Sequence, residues 1–154
     1  MVLVNPIMKC LLDQCQRDPE LKGKFSNQQS LLDGIIKALE DGTIAWPGKS
    51  NQVTREKWIE KMKIDMIFYT NFSRNAKEME DYEYLLLEAA AHFLKRKIKL
   101  YCINSDNSGT PKVFNANGST KFYLLCCNNI SIQNFFLSLT KEARKRKRDA
   151  CKVS

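Results

Sequence analysis

The chain contains six cysteines and one histidine, the residue types that a cysteine hydrolase combines. Such an enzyme needs a thiolate nucleophile, an imidazole that lowers the pKa of the thiol, and a third group that orients the ring. A catalytic pair would have to join His92 to Cys10 or Cys15, and the sequence leaves this alternative open. The remaining cysteines are Cys102, Cys126, Cys127 and Cys151.

The spacing of the cysteines favours free thiols over disulfides or a metal site. Three of them lie in apolar, strand-like runs, where a cysteine behaves as a small hydrophobic residue. The sequence has no C-x-x-C motif, and a single histidine with scattered cysteines does not match the usual zinc ligand sets. We therefore expect reduced thiols, no metal and no cofactor, as in a cytosolic or nuclear protein.

Helical spacing of apolar residues positions these candidates on predicted helices. Ser26 or Asn27 can cap the second helix, and Gly42 suits its end. His92 falls near the end of the last helix, where a structural role is the simpler interpretation and a protonated ring favours the helix dipole. The predicted helices cover residues 6–17, 28–41, 53–69 and 82–95, with a loop at 70–77 before the last.

Alternating apolar and polar residues predict strands in the second half of the chain. A helix that leads directly into a strand is typical of α/β proteins, so we expect an α/β (α+β) class with helices packed on a small mixed sheet. The length fits one domain over residues 1–139, followed by a basic, disordered tail over 140–154. The predicted strands cover residues 97–103, 112–115, 121–127 and 131–139, with a polar turn at 127–129 before the last.

Residues 81–101 carry a resemblance to a known family. An acidic start, the run Leu85-Leu-Leu-Glu-Ala-Ala-Ala, a short basic turn and the strand Ile98-Lys-Leu-Tyr follow one another. This segment resembles the ovarian-tumour (OTU) family of cysteine deubiquitinases, which has W-G-x-x-x-E-L-x-A-L-A before I-x-V-Y. Upstream, Asn27-Gln-Gln-Ser-Leu-Leu-Asp-Gly-Ile occupies the place of D-G-x-C-L-F-x-x-I, and downstream Gln133-Asn-Phe-Phe resembles its H-Y or H-F pattern. The likeness spans residues 25–139 and implies an OTU-like cysteine-protease fold.

The resemblance implies a catalytic site from which the reactive residues are missing. Ser30 stands at the nucleophile position, and a serine hydroxyl is a poor nucleophile unless a base removes its proton. Gln133 or Asn134 stands at the histidine position, where an amide cannot shuttle protons near neutral pH. Asn27 and Gln28 replace the family's Asp-Gly. Ser30 alone would also fit an engineered trap, but the loss of the other positions favours a native absence.

These degenerate positions predict a catalytically inactive pseudo-deubiquitinase that binds a protein, with ubiquitin as the ligand that the resemblance implies. An active cysteine hydrolase with a displaced catalytic set is the alternative. Exposed aromatic residues such as Trp46, Trp58 and Phe135 could anchor a partner or a second copy, and the oligomeric state stays open. The candidate partner-binding residues are Asn27, Gln28, Gln29, Ser30, Asn128, Asn129, Asn134 and Phe135.

Most of the net charge of +8 lies at the end of the chain. Between Leu139 and Ser154 seven basic and two acidic residues give +5. Such a tail could bind nucleic acid, which is a second alternative, but the tail has no interleaved aromatic residue. A short basic run also serves nuclear import, which favours the nucleus over the cytoplasm, and the sequence has no long apolar stretch for a membrane. The candidate import residues are Arg144, Lys145, Arg146, Lys147 and Arg148.

Overall fold

The computed structural model describes residues 6–48, 51–64, 76–103, 112–118, 120–128 and 134–138. Within this part of the chain, no helix is long and apolar enough to cross a membrane. The described residues form four helices and four strands: α1 (Pro6–Arg17), α2 (Gln28–Glu40), α3 (Gln52–Lys63), α4 (Ala76–Leu94), β1 (Lys97–Ile103), β2 (Lys112–Phe114), β3 (Lys121–Asn128) and β4 (Asn134–Ser138).

Helix α1 has the predicted boundaries and α2 ends one residue before the predicted end, whereas α3 and α4 differ more from the prediction. The predicted extension of α3 is wrong at residue 64, because α3 ends at Lys63 and the N–H of Ile64 bonds to the carbonyls of Lys61 and Met62. Residues 65–69 lie outside the described residues. Helix α4 begins at Ala76 and not at Tyr82, so the predicted loop is wrong for residues 76 and 77. The added segment is rich in Ala, Lys, Glu and Met, which are good helix formers.

The four strands form one mixed sheet in the order β2-β1-β3-β4. The central pair β1 and β3 is parallel, and β2 and β4 are antiparallel to their neighbours. The prediction of helices packed on a small mixed sheet from the C-terminal half is therefore confirmed. Asn128, which was predicted to lie in a turn, is instead the last residue of β3 and pairs with Asn134. Residues 139–154, including the predicted tail, lie outside the described residues.

One face of the sheet packs on the helices and forms the core. Ile98, Leu100, Phe122 and Leu124 alternate with residues of the other face and are at most 2% exposed. The predicted apolar stripe of α2 is confirmed as buried, because its leucines and isoleucines belong to the same cluster. The helical residues of this core include Ile7, Leu11, Leu31, Leu32, Ile35, Leu86 and Ala90.

A buried ion pair joins the end of α1 to the start of β1. Arg96 donates from Nε to Asp18 Oδ2 at 2.8 Å and from Nη2 to Asp18 Oδ1 at 3.1 Å. The two side chains are 7% and 5% exposed. Asp18 also accepts the backbone N–H groups of Glu20 and Leu21, and Arg96 also donates to the carbonyls of Leu94 and Lys95. Such a shared set of hydrogen bonds compensates both charges for the loss of water.

The guanidinium of Arg96 sits at a Schellman-type end of α4. Lys95 has a φ of 56°, the left-handed conformation that usually belongs to glycine at this position. The N–H of Lys95 bonds to His92 O at 3.3 Å, and the N–H of Arg96 bonds to Ala91 O at 3.0 Å. The main chain therefore leaves the helix axis within two residues. This turn places Arg96 next to Asp18.

The loop after β2 supports the same junction. Asn115 donates from Nδ2 to Ala91 O at 3.3 Å and to Arg96 O at 3.4 Å. Gly118 approaches the start of β1 so closely that a Cβ atom would lie 2.4 Å from the backbone nitrogen of Lys97. Since that neighbour is backbone and cannot rotate away, glycine is required for this close approach.

We expect Asp18→Asn to lower the free energy of unfolding by about 3–5 kcal/mol, because the buried Arg96 cation then keeps only the exposed carboxylate of Glu20, which lies 3.4 Å away. The hydrogen bond from Arg96 lowers the pKa of Asp18 below its ordinary value. A carboxyl group with a lowered folded-state pKa stabilises the fold above its unfolded pKa of about 3.9 and loses that contribution as the pH falls through the folded value. Urea denaturation should therefore show a steeper acid loss in the wild type than in the variant.

Asp13→Asn is the matched control for this prediction. Asp13 pairs with Arg17 on the same helix, but both side chains are more than 40% exposed. An exposed pair of this kind contributes about 0–1 kcal/mol. Equal destabilisation by the two variants would contradict a special role for the buried pair.

Candidate functional site

The N-terminus of α2 is closed by a reciprocal pair of hydrogen bonds between Asn27 and Ser30. Asn27 Oδ1 accepts the backbone N–H of Ser30 at 2.8 Å, and Ser30 Oγ accepts the backbone N–H of Asn27 at 3.2 Å. The Ser30 hydroxyl donates to the carbonyl of Asn27 at 2.8 Å. This arrangement is a capping box, which satisfies backbone donors that a helix start leaves unpaired.

The capping box determines what the Ser30 hydroxyl can do. A serine becomes a nucleophile when a neighbouring base accepts its proton. Here the hydroxyl of Ser30 donates its proton to the backbone carbonyl oxygen of Asn27, and such an oxygen is far too weak a base to remove the proton. The position that the family resemblance assigns to the nucleophile therefore has a structural role at the start of a helix.

The two glutamines between these capping residues differ in environment. Gln29 is exposed and donates from Nε2 to Asp33 Oδ1 at 2.8 Å along the outer side of α2. Gln28 is half-buried, and its Oε1 is a buried acceptor without a hydrogen-bond partner among the described residues. The predicted partner-binding segment thus exposes Asn27 and Gln29 and turns part of Gln28 inward.

The second half of the predicted site lies at the ends of β3 and β4. The strand register pairs Asn128 with Asn134 and Cys127 with Phe135. The candidates Asn129 and Gln133 lie outside the described residues, as do the import residues 144–148. Helix α1 packs against both β4 and α2, the elements that carry the two halves of the predicted site.

The cysteines of the alternative dyad are buried in the core. Cys10 is 4% exposed and Cys15 is 1% exposed. Burial, with the nearby carboxylate of Asp13, raises the pKa of Cys10 to about 12, and burial with Asp18 raises that of Cys15 to about 12. Thiols in this environment remain protonated near neutral pH and are weak nucleophiles.

His92, the proposed base of that dyad, lies on the surface of α4. Its side chain is 42% exposed, and Nε2 lies 2.9 Å from Glu88 Oε1 one turn earlier. The prediction of a histidine near the helix end is confirmed. Its partner in the structure is a carboxylate of the same helix.

A cleft that the sequence did not indicate opens between the end of α2, the loop over 41–46 and α3. It measures about 860 Å³, which is within the size range of ligand pockets. Trp46 forms part of its wall and is half-buried. Glu40 on one side accepts a hydrogen bond from Lys63 on the other at 3.2 Å, which links the two helices across the cleft. Periodicity along one helix does not reveal such a cleft, because its walls come from separate segments.

Comparisons with protein-family models, curated proteins and solved structures found no match to this chain. Among the described residues, no three His, Cys, Asp or Glu side chains form a group that could hold a metal ion.

We expect Asn27→Ala to lower the free energy of unfolding by about 1 kcal/mol, because it removes the side-chain acceptor of the capping box. Ser30→Ala should cost a similar or smaller amount, since it removes the reciprocal bond. Chemical denaturation measures both changes. Ser26→Ala, at the exposed position before the cap, is the control, and a similar loss in that variant would contradict the capping role.

Cys10 and Cys15 should react slowly with iodoacetamide at neutral pH in the folded protein. The reagent attacks the thiolate, and a pKa of about 12 leaves very little of it. Site-resolved mass spectrometry before and after addition of urea gives the measurement. Rapid labelling of either residue without urea would show that the thiol is accessible and activated.

Proposed function

We propose that this chain is a protein-binding pseudoenzyme with an OTU-like fold, which retains the scaffold of a cysteine deubiquitinase without its peptidase chemistry. The observation that carries the proposal is the capping box, in which the hydroxyl of Ser30 bonds to the backbone of Asn27. A helix start that is stabilised in this way has no free nucleophile. It still presents the exposed amides of Asn27 and Gln29 to a partner.

The order of the elements supports the proposal. Helix α4 ends in a basic turn and leads directly into β1, as the resemblance to the OTU family implies. The helix start at Asn27 and the β3–β4 pair then supply the two halves of a recognition surface. Ubiquitin is the ligand that the resemblance suggests, and a different protein on the same surface is equally compatible with the fold, because fold does not dictate function.

An active hydrolase with a displaced catalytic set is the alternative. It would require a thiol that ionises near neutral pH beside a histidine. The raised pKa values of Cys10 and Cys15, together with the pairing of His92 with Glu88, favour the pseudoenzyme over this alternative.

We expect the purified protein to leave ubiquitin chains uncut and to shift the NMR resonances of labelled ubiquitin. The cleavage assay tests for peptidase chemistry, and the titration tests for binding without requiring any reaction. Asn27→Lys should weaken the shifts, because it places a long cation where the proposed surface has an amide. Lys57→Ala, on the exposed side of α3, is the control and should leave the shifts unchanged.

A second pair of variants asks whether the scaffold can be made catalytic. Ser30→Cys combined with Asn134→His, or with Gln133→His, restores the reactive groups at the positions that the resemblance assigns. Ser30→Ala with the same histidine is the matched control, since it removes the cap without adding a thiol. Cleavage by the wild type would contradict the proposal, whereas absent shifts with absent cleavage would reject ubiquitin as the ligand.

A further inference from the structure

Lysine and tyrosine side chains share the sheet face opposite the main core cluster. In the parallel register of β1 and β3, Lys97 lies beside Lys121, and Lys99 lies beside Tyr123. The residues between them in each strand belong to the core cluster. Because successive side chains of a strand point to opposite faces, these four side chains lie together on the other face.

The neighbouring strand β2 extends this patch. Val113 pairs with Lys99 across the antiparallel register and is 44% exposed. Lys121 is exposed, and Lys97, Lys99 and Tyr123 are half-buried. We call this patch the lysine face, and its residues are Lys97, Lys99, Val113, Lys121 and Tyr123.

The positive charge of the lysine face is not neutralised by the described part of the protein. None of its three lysines forms an ion pair with a carboxylate among the described residues. Like charges placed directly beside each other in a sheet are destabilising. An anionic ligand would relieve this repulsion, because it would supply negative charge beside the three lysines.

Tyr123 lies beside Lys99 and is held in place through both its side chain and its backbone. It packs against Tyr101 and Leu125, which are 8% and 0% exposed. Gln14 of α1 donates from Nε2 to Tyr123 O at 3.3 Å and accepts the N–H of Tyr123 at 3.5 Å. The side chain of one buried glutamine thus fixes the strand at the position of the half-buried Tyr123.

We propose that the lysine face binds single-stranded nucleic acid, with phosphates near Lys97, Lys99 and Lys121 and a base stacked on Tyr123. Basic side chains interleaved with an aromatic ring are the combination that single-strand binding uses. Side chains two residues apart in a strand are separated by about 6.6 Å, so the patch follows an extended backbone. An unpaired base offers its face to the ring, which a base inside a duplex does not. This surface shares no residue with the basic tail or with the start of α2.

The test is fluorescence anisotropy of a short labelled oligouridine with the full chain. Lys97→Ala/Lys99→Ala/Lys121→Ala should weaken binding at least about tenfold and should reduce the slope of log affinity against log salt by about 2, since about 0.7 of a counterion is released per neutralised phosphate. Lys97→Arg/Lys99→Arg/Lys121→Arg retains the charge and should bind like the wild type. Circular dichroism checks that each variant is folded.

Two charge-matched controls locate the binding surface. Lys9→Ala/Lys22→Ala/Lys57→Ala removes three exposed lysines elsewhere on the described surface, and Arg144→Ala/Lys145→Ala/Arg146→Ala removes the same charge from the tail. Both should bind within about twofold of the wild type. An equal loss in either control would overturn the assignment to the lysine face.

The role of Tyr123 distinguishes nucleic acid from polyanions in general. Tyr123→Leu preserves the apolar contact with Leu125 and removes the aromatic ring, so oligouridine should bind about tenfold more weakly while heparin binds unchanged. The same response to both ligands would show that the face recognises charge alone and would overturn the nucleic-acid assignment.

Discussion

The pairing of Arg96 with Asp18 is the interaction on which the arrangement of the other elements depends. Asp18 directly follows α1, and Arg96 follows the last turn of α4 and precedes the first residue of β1. One bidentate contact therefore fixes a helix end, a helix-to-strand turn and the start of a central strand. Since β1 pairs with both β2 and β3, an error in its position would shift the register of most of the sheet.

The sheet that this junction positions has two faces with different chemistry. The inner face is apolar and packs on the helices, which accounts for the stability of the domain. The outer face presents lysines beside a tyrosine, whose side chain packs on a small second cluster formed by Tyr101 and Leu125. The start of α2 lies in the helical layer, where its capping box supports the helix and exposes two amides. The protein-binding and nucleic-acid-binding proposals share strand β3 but rest on different residues, and each can fail without the other.

Capping residues and apolar spacing predicted the helices and strands well, but they did not predict the contacts between these elements. The bounds of α1 and α2 followed from Asn27, from Gly42 and from apolar spacing, because capping and periodicity act within a few residues. The start of α4 was missed, since its first turns lack an apolar stripe. The pairing of Asp18 with Arg96 could not be predicted, because 78 residues separate them. The lysine face was missed for the same reason, since it exists only in the register of two strands that are not consecutive in sequence.

The central functional claim is that the helix start at Ser30 performs no peptidase chemistry and that no buried thiol replaces it. An electrophilic ubiquitin probe, incubated with the wild-type chain and followed by mass spectrometry, tests this claim directly. We expect no covalent adduct on any cysteine while the protein is folded. A stoichiometric adduct on Cys10, Cys15 or another cysteine would contradict the account and would identify the chain as an active hydrolase with a displaced nucleophile.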